Sequence, residues 1–310
     1  MSFLYFLEGI RHPVLDWIVA AITHLGEEII FMAIALVVFW CIDKFEGYYI
    51  LSVGFIGTVF NQFLKIVFRI PRPWILDEKF SIVESARAEA TGYSFPSGHT
   101  QSSVGTFGAI ARWNKNTIIR IVCISLCVLV PFSRMYLGVH TPKDVIVSLI
   151  IAVALIFIVH PIIVNGKNNK KIMWMFLCVM ALITLAGTIF VFTYNFPNDV
   201  DAVNLLSARE NFSKLFGCIL GMLLVYFVDS NYIKFDTKAT FLGQVLKLVL
   251  GLIIVVALKE GLKPVLKLVM GESLIPNTIR YFILVTFAGA IWPLTFKKLA
   301  LVGKSKNISK

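Results

Sequence analysis

The stretch Tyr49-Ile-Leu-Ser-Val-Gly-Phe-Ile-Gly-Thr-Val-Phe-Asn-Gln-Phe-Leu-Lys65-Ile-Val-Phe-Arg69-Ile-Pro-Arg72-Pro73 decides the fold. No charge falls between Tyr49 and Leu64, and then Lys65, Arg69 and Arg72 arrive together ahead of Pro73. An apolar run of this length, ending in cations, reads as a membrane-spanning helix over residues 48–69. Lys65 and Arg72 are seven apart, so on a helix they face the same way, with Arg69 beside them. Pro71 and Pro73 stop the helix. Ionisable groups near membrane segments are costly and usually functional, so this cationic end is the first candidate for chemistry.

The rest of the chain agrees. Hydrophobic residues make up 58% and charged residues 15% of 310, too oily for a soluble surface and typical of an all-α, polytopic membrane protein. The formal charge of +11 would suit nucleic acid, but the cations gather in short loops between apolar runs, and no nucleic-acid-reading motif accompanies them. The expected partner is the bilayer and a lipid in it, with no nucleic acid. Cys41, Cys123, Cys127, Cys178 and Cys218 lie inside or at the edge of apolar runs and read as small hydrophobes, not as disulfides or metal ligands. With acidic Glu8 and no basic start before the first apolar residues, no cleavable signal peptide is expected.

Residues 1–28 read as an amphipathic helix lying at or dipping into the interface. Nine spans are expected, over 29–42, 48–69, 98–112, 117–134, 144–164, 172–193, 209–228, 240–258 and 278–296. The span at 98–112 carries Thr100, Gln101, Ser102 and Ser103, so it should face other helices rather than lipid. The polar loop 74–95 is long enough for a small lid or interfacial helix. Thr141-Pro142-Lys143-Asp144 has the form of a helix start, with Thr141 as N-cap and Asp144 as the N3 acid; Lys143 reads as solvated. Ser207 and Glu210 look like a capping box for the span at 209–228. The acidic pairs Glu27/Glu28 and Asp199/Asp201 have no signature spacing and read as loop charges.

Orientation follows from the cations. Arg112, Lys115, Arg120, Lys167, Lys170, Lys171, Lys234, Lys238 and the five lysines from Lys297 onward fall on one side, which the positive-inside rule makes cytoplasmic. Lys259, Lys263 and Lys267 fall on the other side and count against it. On this assignment Lys65, Arg72, His99 and His140 lie at the extracytoplasmic surface.

Two further stretches share the chemistry of the first: Pro96-Ser97-Gly98-His99, and Ser133-Arg134 with His140 and Asp144. Lys65, Arg72 and Arg134 could place three positive groups around the oxygens of a phosphate, where phosphoryl transfer spreads its charge. The Ser97 hydroxyl and the Gly98 N–H add neutral donors, and a helix opening at His99 presents free N–H groups. Asp144 stands four residues after His140, one helical turn, where it could fix the tautomer and leave the other ring nitrogen free to attack phosphorus. His99 is then available to protonate a leaving oxygen.

Together these stretches resemble the signature of the PAP2 (type 2 phosphatidic acid phosphatase) superfamily of membrane lipid phosphatases: Lys-x6-Arg-Pro, Pro-Ser-Gly-His, and Ser-Arg-x5-His-x3-Asp. Every fixed position is filled, in order and at the family's spacing, over roughly residues 60 to 165. The resemblance implies a six-helix core and a phosphohistidine on His140, with Asp144 supporting it and His99 as acid and then base. Lys65, Arg72, Ser97, Gly98 and Arg134 would hold the phosphate, with no metal and no cofactor. It places the catalytic core in 1–171 and leaves 172–310 as C-terminal membrane helices, one of which completes the core. Polyprenyl carriers such as undecaprenyl pyrophosphate are the preferred substrate by analogy. Phosphatidate, phosphatidylglycerol phosphate, lipid A and sphingoid phosphates remain open, as do a lipid phosphotransferase and a non-enzymatic lipid transporter.

Overall fold

A computed structural model describes residues 1–197, 200–271 and 273–303. Asp199 and the tail lysines after Gly303 lie outside the described residues. The chain is a succession of helices, with no strand among the described residues. In order they are α1 (Ser2–Gly9), α2 (Pro13–Thr23), α3 (Glu28–Cys41), α4 (Lys44–Phe68), α5 (Pro73–Leu76), α6 (Gly98–Trp113), α7 (Thr117–Tyr136), α8 (Pro142–Gly166), α9 (Lys170–Thr193), α10 (Ala202–Val228), α11 (Phe241–Met270) and α12 (Ile275–Thr286). Short helical turns link several of them, including a 3₁₀ turn at His24–Gly26 between α2 and α3.

Among the described residues, seven segments are long and apolar enough to cross a membrane, or eight if Pro13–Gly26 with Glu28–Cys41, bent by 53°, counts as one broken span. Nine were expected. The expected span 29–42 counts only together with α2, and α6 does not count: its 16 residues are about 24 Å of helix, below the length that crosses unaided. Half its turns are polar or small, and Thr100, Gln101, Ser103 and Thr106 are buried, as befits a helix enclosed by others. The protein is an all-α polytopic membrane protein.

Two compact units divide the chain. The first comprises Met1–Met32, Tyr49–Ile163 and Ile189–Phe212. In it α2 lies on α7, fixed by the Tyr136 hydroxyl donating to Asp16 Oδ1 at 2.7 Å and by Arg11 Nε donating to the Tyr136 carbonyl at 3.0 Å. The N-terminal stretch is therefore anchored to the fold along one face, with Val14, Trp17 and Ile18 exposed on the other. Its second half is packed into the fold and bends into α3. The loop 74–95 is likewise fastened down: Phe80, Ile82, Ala86 and Ala90 are buried, and the Val83 N–H donates to the Leu137 carbonyl at 3.1 Å.

The second unit comprises Ala33–Tyr48, Val164–Thr188 and Ser213 onward. Gly217 and Gly221 bring α10 against α12 so closely that a Cβ at Gly217 would stand 2.2 Å from the Thr278 carbonyl oxygen. This is the small-residue crossing that membrane helices use in place of a hydrophobic drive. Lys44 pairs with buried Asp229 at 2.7 Å. Lys247, fully buried in α11, donates to the Thr237 carbonyl at 3.0 Å and lies over the Phe296 ring.

Candidate active site

A cavity of about 260 Å³ opens within the first unit. Lys65 from α4, Arg72 from the turn after it, Gly98 and His99 from the start of α6, Arg134 from the end of α7 and His140 beyond it all line it. Of the residues singled out from sequence, Ser97 and Asp144 are not on its wall but directly behind it. Ser97 is fully buried and caps α6, accepting from the Thr100 hydroxyl at 3.0 Å. Its N–H donates to the Asp144 carbonyl at 3.1 Å, which ties the start of α6 to the start of α8.

The spacing from Arg134 to His140 has a local cause. Helix α7 ends at Tyr136, and Gly138 then takes φ +81°, a left-handed turn that glycine accepts without strain. The chain folds back so that the N–H groups of Val139 and His140 both point at the Arg134 carbonyl, at 3.1 and 3.3 Å. Thr141 and Asp144 then open α8 reciprocally: the Thr141 N–H donates to Asp144 Oδ2 at 2.7 Å, and the Asp144 N–H to the Thr141 hydroxyl at 3.4 Å. The same carboxylate oxygen lies 3.4 Å from His140 Nδ1. It also accepts from the Ser94 hydroxyl at 2.6 Å, a buried contact that sequence reasoning missed. Ser94 lies outside the three motif stretches, and nothing in the sequence marks it.

The other ring nitrogen, His140 Nε2, lies 3.0 Å from Arg72 Nη1. A guanidinium can only donate, so Nε2 accepts and the ring proton sits on Nδ1, toward Asp144. Arg72 gives three more of its five donors to carbonyls: Nη1 to Val139 at 2.9 Å, Nη2 to Thr91 at 2.6 Å and Nε to Gly92 at 3.1 Å. Burial, with Arg72, Arg134 and Lys65 nearby, holds the His140 imidazole well below its ordinary value, so the ring is neutral. A neutral ring of this tautomer can offer Nε2 as a nucleophile once Arg72 turns its donor to an anion in the cavity.

Lys65 and Arg72 reach the cavity by a route other than a shared helix face. Helix α4 stops at Phe68, and Arg69 takes a left-handed conformation at φ 52°, so Arg72 lies past the helix end. Lys65 Nζ donates to the Tyr93 carbonyl. Loop 74–95 thus holds two of the three cations by its backbone. Arg134 is held by Thr23 of α2, whose hydroxyl accepts from Nη1 at 2.7 Å. Gly26 lets this segment come close: a Cβ there would sit 3.0 Å from the His99 carbonyl oxygen. His99 Nε2 faces Glu89 Oε2 at 3.7 Å. Glu89 also faces His24, which bonds Glu27, and the three offer ligand atoms within 4.8 Å of one another. Glu27 pairs with His24, and Glu28 lines the cavity.

Two more walls were unforeseen. Asn61 and Gln62 on α4 and Gln101 and Ser102 on α6 line the inner side. Asn61 is four residues before Lys65, a same-face spacing that was readable. Asn204, Ser207, Ala208 and Asn211 of α10 line another side. Ser207 is not a helix cap: α10 begins at Ala202, with Asp201 Oδ1 accepting from the Asn204 N–H at 2.8 Å. Residues 204, 207 and 211 form a polar helix face within α10, not a helix start.

The description "PAP2 superfamily" matches residues 45–167, and "PAP2 superfamily phosphatase, transmembrane extension" matches residues 213–305. Undecaprenyl-diphosphatase BcrC of Bacillus subtilis (strain 168) is 30% identical over 158 residues, which is 49% of this chain and 78% of that protein. The chain belongs to the PAP2 superfamily. It is a lipid phosphatase, a phosphoric monoester or diphosphate hydrolase. Phosphatidylglycerophosphatase B of the same organism is 26% identical, over 48% of this chain and 76% of that protein. The probable sphingosine-1-phosphate phosphatase of Dictyostelium discoideum is 29% identical, over 47% of this chain but 38% of that longer protein. No solved structure matches the chain. The 45–167 match holds every motif residue of this PAP2 phosphatase. Thr23, Gly26 and the α10 face fall outside both matches.

Proposed function

We propose that this phosphatase releases the terminal phosphoryl group of a membrane lipid through a phosphohistidine on His140, with a polyprenyl diphosphate as the favoured substrate. The carrying observation is the orientation of His140, with Nδ1 toward Asp144 and Nε2 toward Arg72 in a cavity of three cations. Phosphate oxygens take over the Arg72, Lys65 and Arg134 donors, which frees the Nε2 lone pair. Burial, Arg134, Arg72 and Lys65 hold His99 down at about 3. The negative charge of the bound phosphate offsets them, so that the ring takes up a proton. Nε2 of His140 attacks phosphorus, the bond to the bridging oxygen breaks, and the leaving oxygen takes that proton from His99. Water then attacks the phosphorus, giving its proton back to His99. The P–N bond breaks to restore the imidazole, and phosphate departs.

Residues 1–171 carry this chemistry, and the 204–211 face of α10 completes the wall from the C-terminal part. A diphosphatase among the relatives of which the chain spans most of the length supports the diphosphate; the phosphoglycerolipid and sphingoid relatives are the other candidates. The cation distribution supports a multi-pass protein of the cell (plasma or inner) membrane with the site on the extracytoplasmic side. A reporter fused in the 165–171 loop that behaves as exported would overturn that side.

The test is phosphate release by the purified protein from a panel of lipid mono- and diphosphates, with and without chelator, alongside His140→Ala. The expected result is release that chelator leaves intact and His140→Ala abolishes, with an acid-labile phosphoenzyme trapped in wild type alone. Turnover by His140→Ala above one-hundredth of wild type overturns the mechanism.

A further inference from the structure

Beyond the cations, the cavity continues inward along α4 as far as Gly54, eleven residues before Lys65 and about 16 Å of helix. Phe31, Gly54 and Thr58 line this inner part together with two side-chain amides, and Glu28 stands one turn before Phe31 on the same wall. Asn61 is 3% and Gln101 2% exposed, and both ends of both side-chain amides lack a hydrogen-bond partner among the described residues. Buried amides are nearly always paired, because an unpaired one forfeits its hydration for nothing. Two of them, side by side and facing one cavity, are a feature to be explained.

The positions bear on what they meet. Asn61 Oδ1 is 3.9 Å from where a Cβ of Gly98 would stand, so this amide adjoins the backbone at the start of α6. Gln101 lies one turn further along α6 and occupies room that exists because residue 57 is glycine: a Cβ there would be 2.1 Å from Gln101 Nε2. His99 lines the same cavity. An isoprenoid or acyl chain seated here would leave all four amide atoms unsatisfied. A second phosphoryl group would satisfy two of the four, its oxygens accepting from the Asn61 and Gln101 N–H groups, and would leave the two amide oxygens for water. At roughly 260 Å³ the cavity is several times the ~30 Å³ share of one water, room for more than the reacting phosphoryl group.

We propose that Asn61 and Gln101 form a subsite for the second, lipid-attached phosphoryl group of a diphosphate, and so set a preference for diphosphates over monoesters. This rests on the phosphatase reading above. The terminal phosphoryl group sits among Lys65, Arg72 and Arg134, and the bridging oxygen faces His99. The departing lipid phosphate, which gains negative charge as the P–O bond breaks, is received by the two amide N–H groups. Neutral donors suit a group that must then leave; a further cation would hold the product.

The experiment compares kcat/KM for phosphate release from farnesyl diphosphate and farnesyl monophosphate, the same chain with one phosphoryl group more. Full-length wild type, Asn61→Leu, Gln101→Met and Asn61→Asp are measured in detergent, with thermal midpoints as a check on folding. The first two variants keep volume and remove the donors; the third keeps the size and adds a repelling charge. The diphosphate value is expected to fall about tenfold or more beyond the monophosphate value in each variant, most in Asn61→Asp. Parallel losses on both substrates, or no loss on the diphosphate, overturn the subsite while leaving the phosphatase reading standing. Wild-type protein inert toward both substrates overturns that reading and the subsite with it.

Discussion

Arg72→Lys keeps the charge at the centre of the site and should still cripple the enzyme. Arg72 makes four contacts at once: Nε to the Gly92 carbonyl at 3.1 Å, Nη2 to Thr91 at 2.6 Å, and Nη1 to Val139 at 2.9 Å and to His140 Nε2 at 3.0 Å. A lysine ammonium is a single point with three donors, so it cannot span acceptors placed around a planar fork. At least two of the four acceptors are left without a partner, at about 1–3 kcal/mol each where buried. That loss loosens residues 91–92, whose neighbour Tyr93 holds Lys65. Removal of one preorganised donor from a phosphoryl site costs about 2.7–4 kcal/mol at the transition state, or 10²- to 10³-fold in rate. The expected outcome is a fall in kcat of that size, with a smaller change in KM. Steady-state phosphate release from a lipid phosphate in detergent reads it, and limited proteolysis should show faster cleavage within 74–95. A variant that keeps more than a third of wild-type kcat with an unchanged digestion pattern would refute the reasoning, since charge alone would then suffice.

Other expectations follow from the neighbours of His140. Ser94→Ala removes a 2.6 Å donor from Asp144 Oδ2 but leaves the Thr141 N–H at 2.7 Å. A hydrogen bond to a charged group contributes about 1.5–3 kcal/mol, and part of that is spent in orienting the ring, so kcat should fall about tenfold. A rise in KM with kcat unchanged would count against a positioning role. A pH effect on stability also has a definite sign. His140 is held below its ordinary value in the folded protein, while the unfolded chain titrates near about 6.5. Below that pH the unfolded chain takes up a proton the folded one refuses, so stability is full above about 6.5 and falls as pH drops, by about 1.4 kcal/mol per unit. Thermal midpoints between pH 7.5 and 5 should fall less steeply in His140→Gln than in wild type. Equal slopes would show that His140 takes no part.

The helices were legible because bilayer-length apolar runs are hard to misread, and the motif residues were legible because fixed spacings carried them. What sequence did not reveal is what joins stretches distant along the chain. Thr23 reaches Arg134 across 111 residues, and Ser94 reaches Asp144 across fifty. Neither contact leaves a periodic trace. Helix α6 lies within a residue of where it was expected and buries its polar side chains among other helices; it is short because a helix enclosed by protein need not match bilayer thickness. The Ser207 reading failed because a polar stripe at 204, 207 and 211 contains the same residue types as a helix cap. Loop 74–95 has a loop's composition, but its backbone carbonyls do the work of a scaffold for Lys65 and Arg72.

The join between α2 and α3 bears on how this enzyme can be dissected. The recognisable catalytic region starts at residue 45, well after Thr23 and Gly26. A chain trimmed to that region would keep every signature side chain and still lose the hydroxyl that orients Arg134 and the segment that shelters His99. Homology would score such a fragment as whole. Its arginine would be left to swing, and a transplant of the motifs alone into another membrane scaffold should inherit the same defect.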